Sequence, residues 1–425
     1  MAPEPELPVP LSAVEAAARR IAHWVHPTPL LRAPAFPGLP DVPVYLKLES
    51  LQTTGSFKLR GALNKIFSLP DAEAARGVVA ASAGNHAQGV AWAARARGIP
   101  ATIVMAETAS PLKVSRTRAL GAEVVLSGAD YEEAHDRSVQ IARDQGRPYI
   151  HPFDDPDVIA GQGTIGLEIL DELPEAALVV AGVGGGGLLA GIACALRGRR
   201  SPARILGVQP TGADTLRASL REGRVVVGPR PSTFADGLAT RHIGDLPLQI
   251  LRAVGAEAVA VDDRTIAHAA FSLLDRAKLL AEGAGATPLA GLRAHPELVG
   301  PGPVVLVVSG GNLDPFTLDR ILFIGLAAEG RLLRLKAGLR DVPGQLEQFL
   351  DVARTEAANV RQIRHAREAP DRSPGEVTVE LELEVRDAEH GTAVEAAYRA
   401  KGWAVERVPL GPAAGEAGSR PASPP

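Results

Sequence analysis

From Pro43 to about Leu322, short apolar or β-branched runs alternate with alanine-rich helical patterns. The strand-like runs cover residues 44–48, 77–81, 101–105, 122–126, 178–181, 205–208 and 304–308, and residues 88–97 carry a helical pattern. This alternation predicts βαβ units and parallel sheets covered on both faces. In such sheets the functional loops lie at the carboxyl ends of the strands.

Beyond Gly330 the pattern changes. Residues 331–336 predict a strand, 344–356 a helix, 360–365 and 377–385 strands, 389–401 a helix and 403–408 a strand. That order is a ferredoxin-like α+β module, expected as a separate domain over residues 331–410. Residues 411–425 are rich in Gly, Ala, Pro and Ser and predict a disordered tail. No internal repeat is present.

Composition narrows the function classes. The chain has 425 residues, 46% of them hydrophobic and 22% charged, which is ordinary for a water-soluble protein with a large core. A formal net charge of −4 gives no basic face, so neither nucleic acid nor an anionic membrane is an expected partner, and small molecules are. The single cysteine, Cys194, rules out an intramolecular disulfide and fits a reducing compartment, as a packed and inert thiol. The first ten residues have no basic n-region or apolar h-region, so no signal peptide is expected and the predicted location is the cytoplasm. The apolar stretch 178–196 contains six glycines, which suits a loop between strand and helix better than a membrane span.

Four strand-end segments carry candidate chemistry. Lys58, one of only seven lysines, follows the first strand in Gln52-Thr53-Thr54-Gly55-Ser56-Phe57-Lys58-Leu59-Arg60-Gly61-Ala62. An ammonium desolvated where strand gives way to helix has a lowered pKa, as a Schiff-base lysine requires. Alone, it would pass for a helix-surface lysine beside Arg60. Gly182-Val183-Gly184-Gly185-Gly186-Gly187-Leu188 follows a strand and opens a helix, so its amides and the helix dipole suit a phosphate. The loop also fits the dinucleotide fingerprint, but the acidic residue needed about 20 residues on is absent, which makes a nicotinamide enzyme the weaker alternative. Ser82-Ala83-Gly84-Asn85-His86 sits between strand and helix, where amides, a hydroxyl and a carboxamide suit a carboxylate and a phenolic oxygen; helix capping by Ser82 or Asn85 is the alternative. Ser309-Gly310-Gly311-Asn312 ends an apolar strand and places one hydroxyl at a sheet edge.

Together these segments, from His26-Pro27-Thr28-Pro29-Leu30 to Ser309-Gly310-Gly311-Asn312, resemble the fold-type-II pyridoxal-phosphate enzymes, and within them the threonine/serine dehydratases (threonine ammonia-lyases). The resemblance implies an α/β, tryptophan-synthase-β-like two-domain core over residues 1–325, with a smaller domain of about 48–150 nested in the larger. It implies pyridoxal 5'-phosphate as cofactor, with Lys58 as its covalent anchor and the catalytic base. Phe57 would pack on the ring, Asn85 would bond the ring 3-oxygen, Gly184, Gly185, Gly186, Gly187 and Leu188 would cup the phosphate, and Ser309 would face the pyridine nitrogen. Ser82, Ala83, Gly84, Asn85 and His86 would bind the substrate carboxylate.

The implied reaction is α,β-elimination from L-threonine to 2-oxobutanoate and ammonia, the cofactor phosphate acting as acid, with L-serine to pyruvate as a secondary activity. A serine-preferring dehydratase or related eliminase is the nearest rival, and a non-catalytic amino-acid sensor the rival from another class. A neutral hydroxyl at the ring nitrogen weakens the electron sink and favours elimination over transamination. Related racemases have a serine where this chain has Ala83, whose methyl moves no proton. Relatives with a divalent-metal site have acidic residues where this chain has Gln209 and Thr215, although Asp214 is adjacent, so no metal is expected. Glu282 corresponds to a glutamate near the active site of relatives, or else is a solvated carboxylate at a helix start.

The C-terminal module resembles an ACT domain, through Leu339-Arg340-Asp341-Val342-Pro343-Gly344-Gln345-Leu346 and Asn359-Val360. That implies an amino-acid effector and a homo-oligomer, dimer or tetramer. A purely dimerising role is the alternative.

Overall fold

The computed structural model describes residues 7–367 and 373–410. The expected disordered tail, 411–425, lies outside them, as do the first six residues. The chain divides into two compact units, residues 1–318 and 319–425.

Among the described residues the first unit contains nine strands: β1 (Leu30–Arg32), β2 (Val44–Lys47), β3 (Val78–Ala81), β4 (Ala101–Met105), β5 (Glu123–Leu126), β6 (Leu178–Gly182), β7 (Arg204–Pro210), β8 (Glu257–Val261) and β9 (Val304–Val307). They form a six-stranded sheet in the order β1-β2-β9-β6-β7-β8 and a three-stranded sheet β3-β4-β5. All pairings are parallel except β1 with β2. The fold is therefore α/β with two parallel sheets, and each has its own apolar core. Two strands escaped the sequence pattern: β1 is three residues long, and the half-buried β8, Glu257-Ala-Val-Ala-Val, is too alanine-rich to stand out from its helical neighbours. The apolar stretch 178–196 splits into β6 and the helix Gly187–Gly198. No helix among the described residues is long and apolar enough to cross a membrane.

The second unit contains β10 (Leu332–Arg340), β11 (Asn359–Ala366), β12 (Glu376–Glu384) and β13 (Val405–Arg407), antiparallel in the order β11-β12-β10-β13. The helices Gln345–Thr355 and Ala388–Ala400 contribute Phe349 and Tyr398 to a core with Leu333, Leu335, Val379 and Leu381. β10 runs four residues past the expected end at Lys336, because buried Ala337 and Leu339 continue the inward alternation. Gly344 then takes φ +85° to turn the chain into the helix, a conformation that favours glycine.

Two contacts in the first unit fix the helix that begins at the candidate lysine, Lys58–Ser68, against the helix Pro156–Glu172. The first is close backbone approach. A Cβ on Gly61 would lie 2.8 Å from the Val158 carbonyl, and one on Gly161 would lie 2.6 Å from the Arg60 carbonyl. The second is a buried ion cluster. Arg60, 0% exposed, donates to both carboxylate oxygens of Glu49 (2.9 and 2.8 Å), to both of Glu168 (2.5 and 3.0 Å) and to Thr164 Oγ1 (3.1 Å). Lys47 Nζ joins it, 2.7 Å from Glu168 and 2.6 Å from the Thr28 carbonyl. Arg60 is thus no helix-surface neighbour of Lys58 but a core residue.

Removing one partner of a buried ion cluster leaves the others charged and desolvated, which costs roughly 3–5 kcal/mol. Arg60→Ala is therefore expected to lower unfolding stability by about that amount in a urea titration. Arg60→Lys is expected to recover only part of it, since an ammonium cannot make the paired forked contacts.

Candidate active site

The carboxyl ends of β2, β3, β6 and β9 deliver the four segments to one place, as parallel sheets do. After β2 the chain passes a short 3-10 turn, Glu49–Leu51, and enters the Lys58–Ser68 helix. Just before that helix Ser56 bridges Gly310 in antiparallel fashion; the Phe57 amide donates to the Ser309 carbonyl (3.0 Å) and the Gly311 amide to the Gly55 carbonyl (2.9 Å). Lys58 and Ser309 are thereby held side by side. Lys58 Nζ donates to the Pro152 carbonyl at 2.8 Å and lies 5.1 Å from the centre of the Phe57 ring.

Asn85 is the first residue of the helix Asn85–Arg97, which starts three residues earlier than expected. Gly84 is its N-cap and no side chain caps it, so neither Ser82 nor Asn85 serves as the cap. The Ser82 hydroxyl accepts from the Gly84 amide at 3.1 Å. A Cβ on Gly84 would meet nothing within 4 Å, so the 82–86 loop borders open space and can be approached. Asn85 Nδ2 donates to Glu282 Oε1 (2.7 Å), and Asn85 Oδ1 accepts from Asn312 Nδ2 (2.8 Å). Glu282 does stand at a helix start, Gly283–Ala294, but its side chain meets Asn85. Lys113, on the helix Pro111–Ala119, meets Asp236 at 2.6 Å.

The glycine loop closes the floor. Gly186 has φ +91° and is the N-cap of Gly187–Gly198, with no side chain capping that end. A Cβ on Gly185 would fall 2.2 Å from the Phe153 ring, so the ring occupies the space that any side chain would need. Phe153 stands edge-on to His151, 4.7 Å between centroids. Thr240, whose methyl lies 3.4 Å from where a Gly184 Cβ would be, has a buried hydroxyl with no hydrogen-bond partner among the described residues. Sequence reasoning missed Thr240 and Phe153, since each lies in an irregular segment with no motif around it.

Burial governs the electrostatics here. It lowers the Lys58 ammonium from its ordinary 10.5 to about 8, against the pull of Glu282. Burial also raises the Glu282 carboxyl to about 7, with Asp236 adding to the rise and Asn85, Lys113 and Lys58 opposing it. His86 falls to about 3, through burial first and the nearby Lys58 charge after it, and His151 to about 4, through burial first, with His135 and Lys58 adding to the fall and Asp154 and Asp155 opposing it, so both rings are neutral. His86 Nε2 is engaged by the Ile150 carbonyl at 2.8 Å, which leaves its main chain to face the loop. Elsewhere, Gln209 accepts from the Thr215 and Leu216 amides and donates to the Val183 carbonyl, while Asp214 pairs with Arg217. Cys194 is buried and its thiol is pushed up to about 12, as an inert packed thiol should be.

A desolvated amine, an uncapped glycine loop and an amide-lined helix start on one cleft fit the match of residues 21–310 to the family model described as pyridoxal-phosphate dependent enzyme. The chain belongs to that family. Its core is the fold-type-II α/β core. An L-threonine ammonia-lyase of Thermotoga maritima is 42% identical over 400 residues, 94% of this chain and 100% of the relative. A solved structure of a processed threonine deaminase isoform from Solanum lycopersicum is 37% identical with a TM-score of 0.70, covering 74% of this chain and 86% of that one. A maize serine racemase structure is 34% identical with a TM-score of 0.70, covering 75% and 98%. The family's cofactor is pyridoxal 5'-phosphate, and the residues present suit it: an amine for its aldehyde, and a glycine cradle and an orphaned Thr240 hydroxyl for its phosphate.

Only the neutral amine attacks an aldehyde. Because the Lys58 pKa is lowered to about 8, the amine is protonated below that pH and free above it. Cofactor capture by the apo-protein, followed by the growth of its visible band, should therefore accelerate with pH to a plateau above a midpoint near 8. A midpoint near 10.5 would mean a solvated amine.

Proposed function

We propose that the chain is a pyridoxal-phosphate-dependent threonine ammonia-lyase, converting L-threonine to 2-oxobutanoate and ammonia, with L-serine to pyruvate as a secondary activity. The observation that carries this reading is the desolvated Lys58 amine at the start of a helix whose entry is tied to Ser309. The near-full-length likeness to an L-threonine ammonia-lyase supports the choice of substrate.

When bound, the cofactor withdraws electrons from the substrate's α-carbon. The chain's own groups do the rest. In this reading the amides of Gly184, Gly185, Gly186, Gly187 and Leu188, with the Thr240 hydroxyl, hold the phosphate at the N-terminus of the helix Gly187–Gly198. Phe57 would flank the ring, the Ser309 hydroxyl would face its nitrogen and Asn85 would donate to its 3-oxygen. The main-chain amides of residues 82–86, with the Ser82 hydroxyl, hold the substrate carboxylate at the start of Asn85–Arg97. Lys58 Nζ, neutral above about pH 8, takes the α-proton, and the Pro152 carbonyl at 2.8 Å orients the amine through one of its hydrogens. Ala83 offers no second proton donor, which favours elimination over racemisation. The threonine methyl changes pocket energies by only about 1–3 kcal/mol, so serine remains a substrate.

The test is Lys58→Ala. It should keep a wild-type far-ultraviolet dichroism spectrum while 2-oxobutanoate formation falls on the order of 10²–10⁴-fold or more, the usual worth of a positioned base. Activity near wild type in the folded variant would sink the assignment.

The second unit supports an ACT-like regulatory domain, through its β-α-β-β-α-β order and antiparallel sheet. In this reading it binds an amino-acid effector, and the regulated species is a homo-oligomer in the cytoplasm. Isoleucine or valine added to the full-length protein should then shift the threonine saturation curve or the light-scattering mass. If neither amino acid moves either quantity, the regulatory reading fails.

A further inference from the structure

The side chains around Asn85 form a directional chain that starts in the lysine segment. Asn312 Nδ2 lies 2.8 Å from the Thr54 carbonyl oxygen, and the same nitrogen lies 2.8 Å from the Asn85 carboxamide. A main-chain carbonyl only accepts, so the Asn312 atom facing Thr54 is its nitrogen. That nitrogen has two hydrogens, and its second is directed at Asn85. The Asn85 atom it meets must therefore be the oxygen. The Asn85 nitrogen is then left facing Glu282 Oε1, 2.7 Å away, with one N–H used there and the other free for an acceptor in the cleft. Turning the Asn85 amide over would set two nitrogens against each other at one end and two oxygens at the other.

The Asn312 side chain has little freedom to do anything else. A Cβ on Gly55, whose φ is +72°, would lie 2.5 Å from Asn312 Oδ1, so Gly55 supplies the room that this rotamer needs. The preceding residue, Gly311, is tied by its amide to the Gly55 carbonyl at 2.9 Å. Asn312 thus joins the segment that presents Lys58 to the start of the helix Asn85–Arg97.

We propose that Asn312 is a positioning residue that, by bonding both Thr54 and Asn85, fixes the Asn85 carboxamide with an N–H, not an oxygen, toward the 3-oxygen of the bound cofactor. This rests on the reading that Asn85 is the partner of that oxygen. A donor there stabilises the oxygen as an anion; a carboxamide oxygen in its place would repel it. The effect is on the cofactor's electronic state as well as its affinity, and a purely structural role would not move that state.

The experiment compares the wild type with Asn312→Asp, Asn312→Ser, Asn85→Ala and the Asn85→Ala/Asn312→Asp double variant, each full length and titrated with pyridoxal 5'-phosphate. Asn312→Asp keeps the shape and loses the donor; Asn312→Ser is too short to span both acceptors. Both should move the cofactor band to shorter wavelength at neutral pH and weaken cofactor binding roughly tenfold, the worth of one lost hydrogen bond. kcat should fall more than KM rises. In the Asn85→Ala background Asn312→Asp should add no further band shift, because the residue it acts through is gone.

Unchanged spectra in both Asn312 variants would overturn the proposal, as would a full additional shift in the double variant. So would both Asn312 variants failing to fold while Asn85→Ala folds, which would make Asn312 a scaffold residue. A wild-type protein that develops no band would sink the cofactor reading itself, and an unshifted spectrum in Asn85→Ala would sink the role given to Asn85; both are distinguishable from failure at Asn312.

Discussion

The buried guanidinium of Arg60 is the interaction on which the catalytic unit depends. It stands two residues after Lys58 and grips Glu49, which precedes the lysine segment, and Glu168, on the helix beneath it. Glu168 is held below the ordinary carboxylate range by Arg60 and Lys47 despite its burial. A chain entering a helix with an amine on its first turn would ordinarily fray there. Here the first turn is pinned from below by ions and from beside by the Ser309 carbonyl.

That rigidity makes the electrostatics of the cleft coherent. One environment, low in water and lined with neutral imidazoles, weakens the charge of the Lys58 ammonium and of the Glu282 carboxylate alike. The lowered amine and the raised acid are the two faces of one desolvation, and near neutral pH neither group is firmly committed to its charge.

Much of this was legible in the chain. Strand ends are marked by glycine, serine and asparagine after apolar runs, and Lys58, Asn85, the glycine loop and Ser309 all lie at such points. The second unit was legible because its strands alternate cleanly, as Val377, Val379, Leu381 and Leu383 do on β12. What stayed hidden was contact across distance. Nothing local in the sequence says that Arg60 meets Glu168, 108 residues away, or that Phe153 fills the space under Gly185. Glu282 was ambiguous for the same reason: a carboxylate at a helix start is usually solvated, and only the approach of Asn85 gives it another use.

The crossing of Gly61 over Gly161 carries a consequence for how such a protein can change over time. Each bare Cα is needed by the other helix's carbonyls, so neither position can drift while its counterpart stays fixed. Enlarging either would push the helices apart and carry Lys58, three residues upstream, with them. A lineage or a laboratory library exploring single substitutions would meet a wall at both sites, and the distance between these two helices is inherited as one unit.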